Sequence, residues 1–327
     1  MVSLRYDDDL ICRGSGSIDQ YAAIQAAILG KRAVLGERRK AVGGVCVESG
    51  TILGKTFREA VLSFNSMTRH FEGHERYRYQ RRAIAVQLLA RVEAVMRRDV
   101  DVVVGQMRRN DVTLFHSDAS FNDPSIVMVT TEDGNRSITA ANILIAVEAR
   151  PCVGGRRHLR RRNDSSSGDV PRLNQLPRHM ALLGGGIIGV GYVSMFAALD
   201  SNITVLDKRT RLLEFLDSKI VEELIHQMRS RYDTFLLGET VERLEIISGM
   251  PRRVVLTLES GKRVVSDSIL YAADRTGATE CLNLPATGFT ADKRGHLRVD
   301  AQFRIEVSHI FVVGDVAGYP GLASTSA

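Results

Sequence analysis

Two stretches of the chain repeat one order of hydrophobic and polar positions. Each begins with a short apolar run, passes through a glycine-rich turn into a run of small and apolar residues, and ends in a second apolar run followed by an acidic residue. The first stretch extends from Leu10 to Glu37 and the second from Met180 to Asp207. Short apolar runs bounded by glycine are typical of buried strands, so each stretch is predicted to form a βαβ unit.

Between the repeats, apolar residues recur every three or four positions, which predicts an amphipathic helix over residues 75–98 with a basic opposite face. The residues of this apolar stripe are Ile84, Leu88, Val92 and Val95. Residues 127–131 and 143–146 are predicted to be strands that return to the first unit, on either side of a turn at Asp133-Gly134. The polar and basic residues 156–168 predict a loop or linker.

Length, composition and charge bear on the number of domains and on the kind of ligand. A chain of 327 residues with 44% hydrophobic content is too long for one compact core and is expected to form two domains. The formal net charge of +6 comes from 44 basic and 38 acidic residues, and it suits a dinucleotide as well as a nucleic acid. No aromatic residue interleaves the basic run at residues 156–168, so a nucleic-acid partner is not expected.

The spacing of the cysteines and the length of the apolar runs argue against metal-binding, disulfide-rich and membrane-spanning classes of protein. Cys12, Cys46, Cys152 and Cys281 are too far apart for metal-ligand spacing, so we expect neither a metal site nor a disulfide framework. There is no run of about 18 apolar residues, and acidic residues 7–9 interrupt the start of the chain where a signal peptide would be apolar. The sequence therefore predicts a cytoplasmic protein without a membrane partner.

The second glycine turn carries all three glycines of a dinucleotide-binding loop. Gly184 would permit the tight turn, Gly186 would let the backbone approach a pyrophosphate, and Gly189 would let the helix pack closely on the strand. The phosphates would lie at the helix N-terminus, where free N–H groups favour negative charge. Asp207 follows eighteen residues beyond Gly189, at the end of the next strand. These features predict a nucleotide site.

The nucleotide preference of this second site stays open. Asp207 would favour the free 2′-hydroxyl of NAD, whereas Lys208, Arg209 and Arg211 could pair with the 2′-phosphate of NADP.

The first glycine turn is less complete. Gly14 and Gly16 are present, but Asp19 stands where the third glycine belongs, and its carboxylate is expected to crowd the helix and repel a pyrophosphate. Glu37 nevertheless ends the next strand, where it could accept the ribose hydroxyls. The residues leave two readings open: a weakened nucleotide site, or a remnant of the fold.

Residues 41–56, with the sequence AVGGVCVESGTILGKT, resemble the flavin-proximal helix start of the family that contains dihydrolipoamide dehydrogenase, glutathione reductase and mercuric reductase. Most of these enzymes place two cysteines there, separated by four residues, and form a redox disulfide. Here Cys46 is followed by Thr51 at the second position, so transfer of electrons to a dithiol substrate is disfavoured. We expect Cys46 to be a small residue packed beside the flavin rather than a nucleophile.

Threonine at this position is typical of the soluble, Si-face-specific pyridine nucleotide transhydrogenases, and residues 184–217, 270–280 and 312–325 also resemble that branch. The resemblance implies a flavoprotein that passes hydride from NADPH to FAD and then from reduced FAD to NAD, with both nicotinamides using one site in turn. The cofactors carry this chemistry, and the protein orients them.

The resemblance also implies roles for individual residues. FAD would be held by Gly14, Gly16, Glu37, Gly44, Gly314 and Asp315, and Arg275 is a further candidate for cofactor binding. The nicotinamide nucleotide would be held by Gly184, Gly186, Gly189, Asp207 and Arg209. Lys55 would lie near the flavin N5, and Lys55, Cys46 and Thr51 are the catalytic candidates.

Several residues depart from the family pattern. Gly191 replaces a glutamate that usually pairs with the flavin-side lysine, so Lys55 would be an unpaired buried ammonium and the nicotinamide pocket is expected to be altered. Further departures are Asp19, Glu148-Ala149, Asp274 and Ile305. The chain ends at Ala327, so the interface domain that makes the family homodimeric is expected to be missing.

These departures leave two alternatives to the transhydrogenase: a non-catalytic nucleotide-binding remnant, and a dihydrolipoamide dehydrogenase-like flavin reductase without the redox disulfide. The expected fold is α/β, with two Rossmann-like domains in three layers, the second inserted in the first. The FAD-binding domain would comprise residues 1–150 and 290–327, and the NAD(P)-binding domain residues 151–289. Lys55, Gly189 and Asp315 are expected to line one cleft.

Overall fold

The computed structural model describes residues 6–39, 41–48, 50–68, 75–131, 134–151, 164–166, 170, 173, 176–230, 233–247, 249, 253–273 and 275–318. The elements as far as residue 151 are β1 (Asp8–Arg13), α1 (Ser17–Ile28), β2 (Ala33–Glu37), α2 (Gly44–Glu48), α3 (Thr51–Thr68), α4 (Glu75–Arg109), β3 (Thr113–His116), β4 (Asp118–Asp123), β5 (Ile126–Thr131), β6 (Gly134–Ile145) and β7 (Ala149–Pro151). Those that follow are β8 (Asp164–Ser166), β9 (His179–Leu183), α5 (Ile187–Ala198), β10 (Asn202–Asp207), α6 (Ser218–Arg229), β11 (Thr234–Leu237), β12 (Val241–Ile247), β13 (Arg253–Leu258), β14 (Arg263–Ser266), β15 (Ser268–Tyr271), β16 (Arg275–Gly277) and β17 (Ile310–Val312).

The chain divides into two compact units. The first contains residues 1–48, 96–150 and 275–327, and the second contains residues 49–95 and 151–274. Residues 75–95 of α4 therefore belong to the second unit and the rest of that helix to the first. None of the helices that the structure describes is long and apolar enough to cross a lipid bilayer.

The first unit is built on a parallel sheet. Strands β3, β2, β1, β6 and β17 lie side by side, and all four neighbouring pairs are parallel. The first half of β6 also pairs antiparallel with β5, which pairs with β4. Successive residues of β1 face opposite sides of this sheet, because side chains alternate along a strand. Ile11 joins one apolar cluster and Cys12 the other, which includes residues of α1.

The second unit repeats this plan. Strands β11, β10, β9, β15 and β8 form a parallel sheet, and β12, β13 and β14 form an antiparallel sheet. Helix α3 packs on α5 through an aromatic group, in which the ring of Phe57 lies 6.2 Å from Tyr192 and 5.5 Å from Phe196 between centroids. The α/β fold with two Rossmann-like parallel sheets is confirmed.

Two local predictions need correction. The helix predicted over residues 75–98 continues to Arg109. Residues 164–166, within the predicted loop or linker, form β8, which pairs with β15 at the edge of the second sheet. An edge strand is stabilised by backbone hydrogen bonds and often carries polar side chains, so the apolar pattern could not reveal it. The rest of that predicted linker lies outside the described residues, as does Asp133 of the predicted turn. Val170 and Leu173, just beyond the linker, are described.

Candidate dinucleotide sites

The second glycine loop has the shape that its three glycines require. Gly184 has a φ of +105°, and a Cβ there would lie 2.5 Å from the backbone nitrogen of Ala273. A Cβ on Gly189 would collide with the carbonyl oxygen of Gly184, so glycine permits the close contact of α5 with the turn. Gly186 caps α5 and has no atom within 4 Å of a Cβ position, which leaves open space beside the helix N-terminus. Nucleotide binding there stays a prediction.

The acidic residue that ends β10 forms hydrogen bonds and an ion pair within its own chain. Asp207 accepts a hydrogen bond from the backbone N–H of Gly185 at 2.6 Å and forms an ion pair of 2.7 Å with Arg209. Burial by itself would raise the pKa of Asp207, but the hydrogen bonds from Arg209 and Gly185 outweigh it and hold the pKa below its ordinary value. Asp207 is therefore ionised at neutral pH.

The first glycine loop accommodates Asp19 in an unexpected way. Gly14 adopts a φ of +135°, and Gly16 caps α1. The side chain of Asp19 is fully buried, and its Oδ2 accepts a hydrogen bond from the N–H of Gly16 at 3.1 Å. Asp19 therefore does not prevent the helix from forming, as steric crowding would have done. It uses an N–H group that would otherwise point to a phosphate.

Glu37 ends β2 as predicted, and its carboxylate is held by neighbouring groups. It accepts hydrogen bonds from the hydroxyl of Ser15 and from the backbone N–H of Arg39, the latter at 2.8 Å. Ser15 also accepts a hydrogen bond from Gly43 N–H at 3.0 Å. Gly44 has a φ of +62°, and a Cβ there would lie 2.8 Å from the Cα of Gly16. The start of α2 thus lies directly against the first loop.

A second carboxylate, that of Glu148, lies beside the same loop. Its Oε1 is 2.7 Å from the point where a Cβ on Gly16 would lie. Its backbone has a φ of +65°, a left-handed conformation that favours glycine. The sequence marked Glu148 only as a departure from the family pattern, and its contact with the loop becomes visible in the tertiary structure.

Burial and neighbouring charges raise the pKa of both acids. Burial raises the pKa of Asp19 well above its ordinary value, and the charges of Glu148 and Glu37 raise it further. Burial raises the pKa of Glu148 to about 7, with a further increase from Asp315 that Arg275 and Arg39 oppose. Protonation of Glu148 is consequently favoured below about pH 7, and protonation of Asp19 is favoured by the same change in direction.

Asp315 follows the glycine turn after β17. Gly314 has a φ of +81°, and Asp315 begins a short 3₁₀ turn. The Nε of Arg275 lies 3.6 Å from the carboxylate of Asp315, and another nitrogen of Arg275 donates to the carbonyl of Ala149. Both cofactor candidates thus belong to one ion pair.

The catalytic candidates lie on two consecutive helices. Cys46 is half-buried on α2, while Thr51 and Lys55 are exposed on α3. The expected burial of an unpaired Lys55 ammonium is not found in this structure. Lys55 and Gly189 belong to the second unit and Asp315 to the first. Their location in one cleft stays a prediction, as do their roles.

Sequence reasoning missed two polar groups in the cleft at the first loop. Arg13 ends β1 and Ser117 follows β3, and both line this cleft with Glu37. The Nη1 atom of Arg13 and the hydroxyl of Ser117 are buried and have no hydrogen-bond partner among the described residues. Burial lowers the pKa of Arg13 to about 10, so its guanidinium is charged at neutral pH. A charged residue directly after the apolar run 10–12 of β1 was the available signal.

The first cleft fits FAD with one condition. Glu37 and the turn at Gly14 stand where an adenosine ribose and its phosphates meet a dinucleotide fold. Asp19 and Glu148 would lie against the pyrophosphate, and two ionised carboxylates there would repel it. Since both have raised pKa values, protonation removes much of that charge. The residues therefore fit FAD when these acids are protonated.

Two Rossmann-like units, each with a glycine turn that leads into a helix N-terminus, are typical of an oxidoreductase that binds two dinucleotides. The chain belongs to the pyridine nucleotide-disulphide oxidoreductase family, to which residues 14–327 match.

Named relatives lie within this family. The soluble pyridine nucleotide transhydrogenase of Mycobacterium bovis (strain BCG / Pasteur 1173P2) is 39% identical over 322 residues, which are 97% of this chain and 68% of the relative. The protein of the same name from Vibrio vulnificus (strain YJ016) is 34% identical with the same coverage. Among solved structures, the HOCl-induced flavoprotein disulfide reductase RclA from Escherichia coli has a TM-score of 0.85 at 23% identity, over 97% of this chain and 68% of that chain. This last likeness concerns the fold alone.

Proposed function

We propose that this protein is an FAD-dependent oxidoreductase that transfers hydride between NADPH and NAD through flavin, as a soluble, Si-specific pyridine nucleotide transhydrogenase. The observation that carries the proposal is the 39% identity, along nearly the whole chain, to a relative of that name. The replacement of the second redox cysteine by Thr51 agrees with it, since a disulfide at this site would serve a dithiol substrate instead.

The residues of the chain would bind and orient two nucleotides. Glu37 would accept the adenosine ribose hydroxyls of FAD, and Asp315 would contact the ribityl chain. Gly186, at the N-terminus of α5, would receive the pyrophosphate of the nicotinamide nucleotide. When bound, FAD supplies the hydride-accepting and hydride-donating chemistry. Lys55, on α3, would place a positive charge near the flavin.

A second candidate function is nucleotide binding without turnover. The hydrogen bond from Gly16 N–H to Asp19 favours it, because that donor is then not available to the FAD pyrophosphate. In this case the second loop would bind NAD(H) or NADP(H), and the first loop would be structural. A homodimer and a cytoplasmic location remain predictions from the sequence, as does the absence of a nucleic-acid partner.

An anaerobic titration separates the two functions. The purified chain is incubated with FAD, separated from unbound flavin, and its visible spectrum is recorded before and after addition of NADPH. A transhydrogenase shows flavin absorbance that is bleached by NADPH and restored by thio-NAD. A chain that binds NADPH but retains no flavin would refute the transhydrogenase and support the binding protein.

A further inference from the structure

The carboxylate of Asp207 is saturated with hydrogen bonds from its own chain. Oδ2 accepts from Gly185 N–H at 2.6 Å and from Arg209 Nη2 at 2.7 Å. Oδ1 accepts from Arg209 N–H at 2.8 Å and from Arg209 Nε at 3.0 Å. A carboxylate offers about four acceptor sites. No site is left for a ribose hydroxyl while these four bonds persist.

The two carboxylate oxygens of Asp207 accept from the same two kinds of donor, so the same group must move to free either oxygen. Each oxygen accepts one backbone N–H and one nitrogen of the Arg209 guanidinium. The backbone donors are fixed by the glycine loop and by the end of β10. Departure of the guanidinium would therefore free one acceptor site on each oxygen of Asp207. Two adjacent acceptors suit the 2′- and 3′-hydroxyls of the NAD ribose.

A 2′-phosphate has the opposite requirement. It would be repelled by an ionised Asp207, whose side chain is only 4% exposed and retains its charge at neutral pH. Arg209 neutralises that charge, and its own side chain is 39% exposed, so the guanidinium forms the more accessible side of the pair. A guanidinium also forms strong charge-assisted hydrogen bonds with phosphate. The intact ion pair thus suits NADP(H).

We propose that Arg209 decides which nicotinamide nucleotide the second loop accepts. Paired with Asp207 it admits NADP(H), and turned away from Asp207 it leaves the carboxylate to the ribose of NAD(H). This inference rests on the proposed function, in which one site receives both nucleotides in turn. Arg209 would then rearrange between the two half-reactions. It contacts a 2′-phosphate directly and acts on NAD only by releasing Asp207.

The test is the ratio of NADPH to NADH affinity, measured by calorimetry on the full chain. Arg209→Ala should weaken NADPH binding by about tenfold to a hundredfold, as expected for loss of a hydrogen bond to a charged group. The same variant should strengthen NADH binding severalfold, because Asp207 becomes accessible. Arg253→Ala is the matched control, since it removes an equal charge from an exposed residue of β13 in the same unit.

Three results would overturn the inference: equal weakening of both nucleotides by Arg209→Ala, the same change in ratio from Arg253→Ala, or binding of neither nucleotide by the wild-type chain. Should Arg209→Ala fail to fold, Arg209→Lys is measured instead. Lysine cannot donate to both carboxylate oxygens with a planar fork, so it should shift the ratio in the same direction by less. An unchanged ratio in folded Arg209→Lys would also contradict the inference.

This readout does not depend on flavin. A chain that binds nucleotides in an Arg209-dependent ratio but transfers no hydride would refute the proposed function and leave this inference standing. A chain that transfers hydride, but whose ratio of NADPH to NADH affinity does not depend on Arg209, would support the proposed function and refute this inference.

Discussion

The carboxylate of Asp19 accepts a hydrogen bond from the backbone N–H of Gly16 at the N-terminus of α1. Its second oxygen is buried and has no hydrogen-bond partner in the part of the chain that the structure describes. A buried acid with an unsatisfied oxygen destabilises a protein unless protonation or a ligand compensates for it. The contact places this acid where a bound pyrophosphate would need a donor, so it governs how the first loop can bind a nucleotide.

Replacing Asp19 with glycine should strengthen FAD binding by about tenfold or more, because a hydrogen bond to a charged group contributes about 1.5 to 3 kcal/mol. The substitution removes the carboxylate and returns the N–H of Gly16 to the phosphates. The dissociation constant of FAD, measured by quenching of flavin fluorescence at pH 8, provides the test. Asp111→Gly is the control, since Asp111 is exposed and has a φ of +54° that glycine adopts freely. Equal or weaker FAD binding in Asp19→Gly would contradict the assignment.

FAD binding should also weaken as the pH rises above about 7. The pKa of Glu148 is raised to about 7, first by burial and then by Asp315, and that of Asp19 is also raised. Below this pH Glu148 is largely protonated and the phosphates approach a neutral group. Above it, binding must take up a proton, so the affinity falls by up to about tenfold per pH unit.

The measurement is the FAD dissociation constant from pH 6 to pH 8.5. Glu148→Gln should flatten part of this dependence, because glutamine remains neutral throughout. Glu306→Gln serves as the control, since Glu306 is an exposed acid of the same unit. The charges of Asp315, Arg275, Arg39 and Glu37 also act on Glu148. A pH-independent dissociation constant in the wild-type chain would refute the role of these acids.

The glycines of the second loop should respond differently to alanine. Gly186→Ala should fold normally, because no atom lies within 4 Å of its Cβ position, but it should weaken NADH and NADPH binding by crowding the phosphate. Gly189→Ala should lower the free energy of unfolding, because its Cβ would collide with the carbonyl of Gly184. Thermal unfolding and nucleotide titration of both variants check this. Normal nucleotide binding by folded Gly186→Ala would remove that loop as the site.

Packing of α3 on α5 should depend on Phe57. Its ring is 1% exposed and contacts Tyr192 and Phe196. Phe57→Ala should lower the free energy of unfolding by about 3 to 5 kcal/mol, as is usual for truncation of a buried phenylalanine. Leu62→Ala, on the same helix but 46% exposed, should have a much smaller effect. Chemical denaturation measures both, and equal destabilisation by the two variants would show that the packing is not specific.

The sequence by itself determined the two βαβ units, the family and the positions of the glycine turns. These features are local, since strand, turn and helix follow one another within about thirty residues and each has its own periodicity. Gly184, Gly186 and Gly189 could be assigned their geometric roles for this reason. The sequence also identified Asp19 as the departure that matters most for the first loop.

Only the tertiary structure decided what these residues contact. Asp19 caps its own helix instead of disrupting it, Glu148 reaches the first loop from the end of β6, and Arg209 occupies the carboxylate of Asp207. The sequence left Asp207 and Arg209 as opposing indications of NAD and NADP. Their hydrogen bonds join them into one pair, because side-chain direction and burial depend on the folded chain and not on the order of residues.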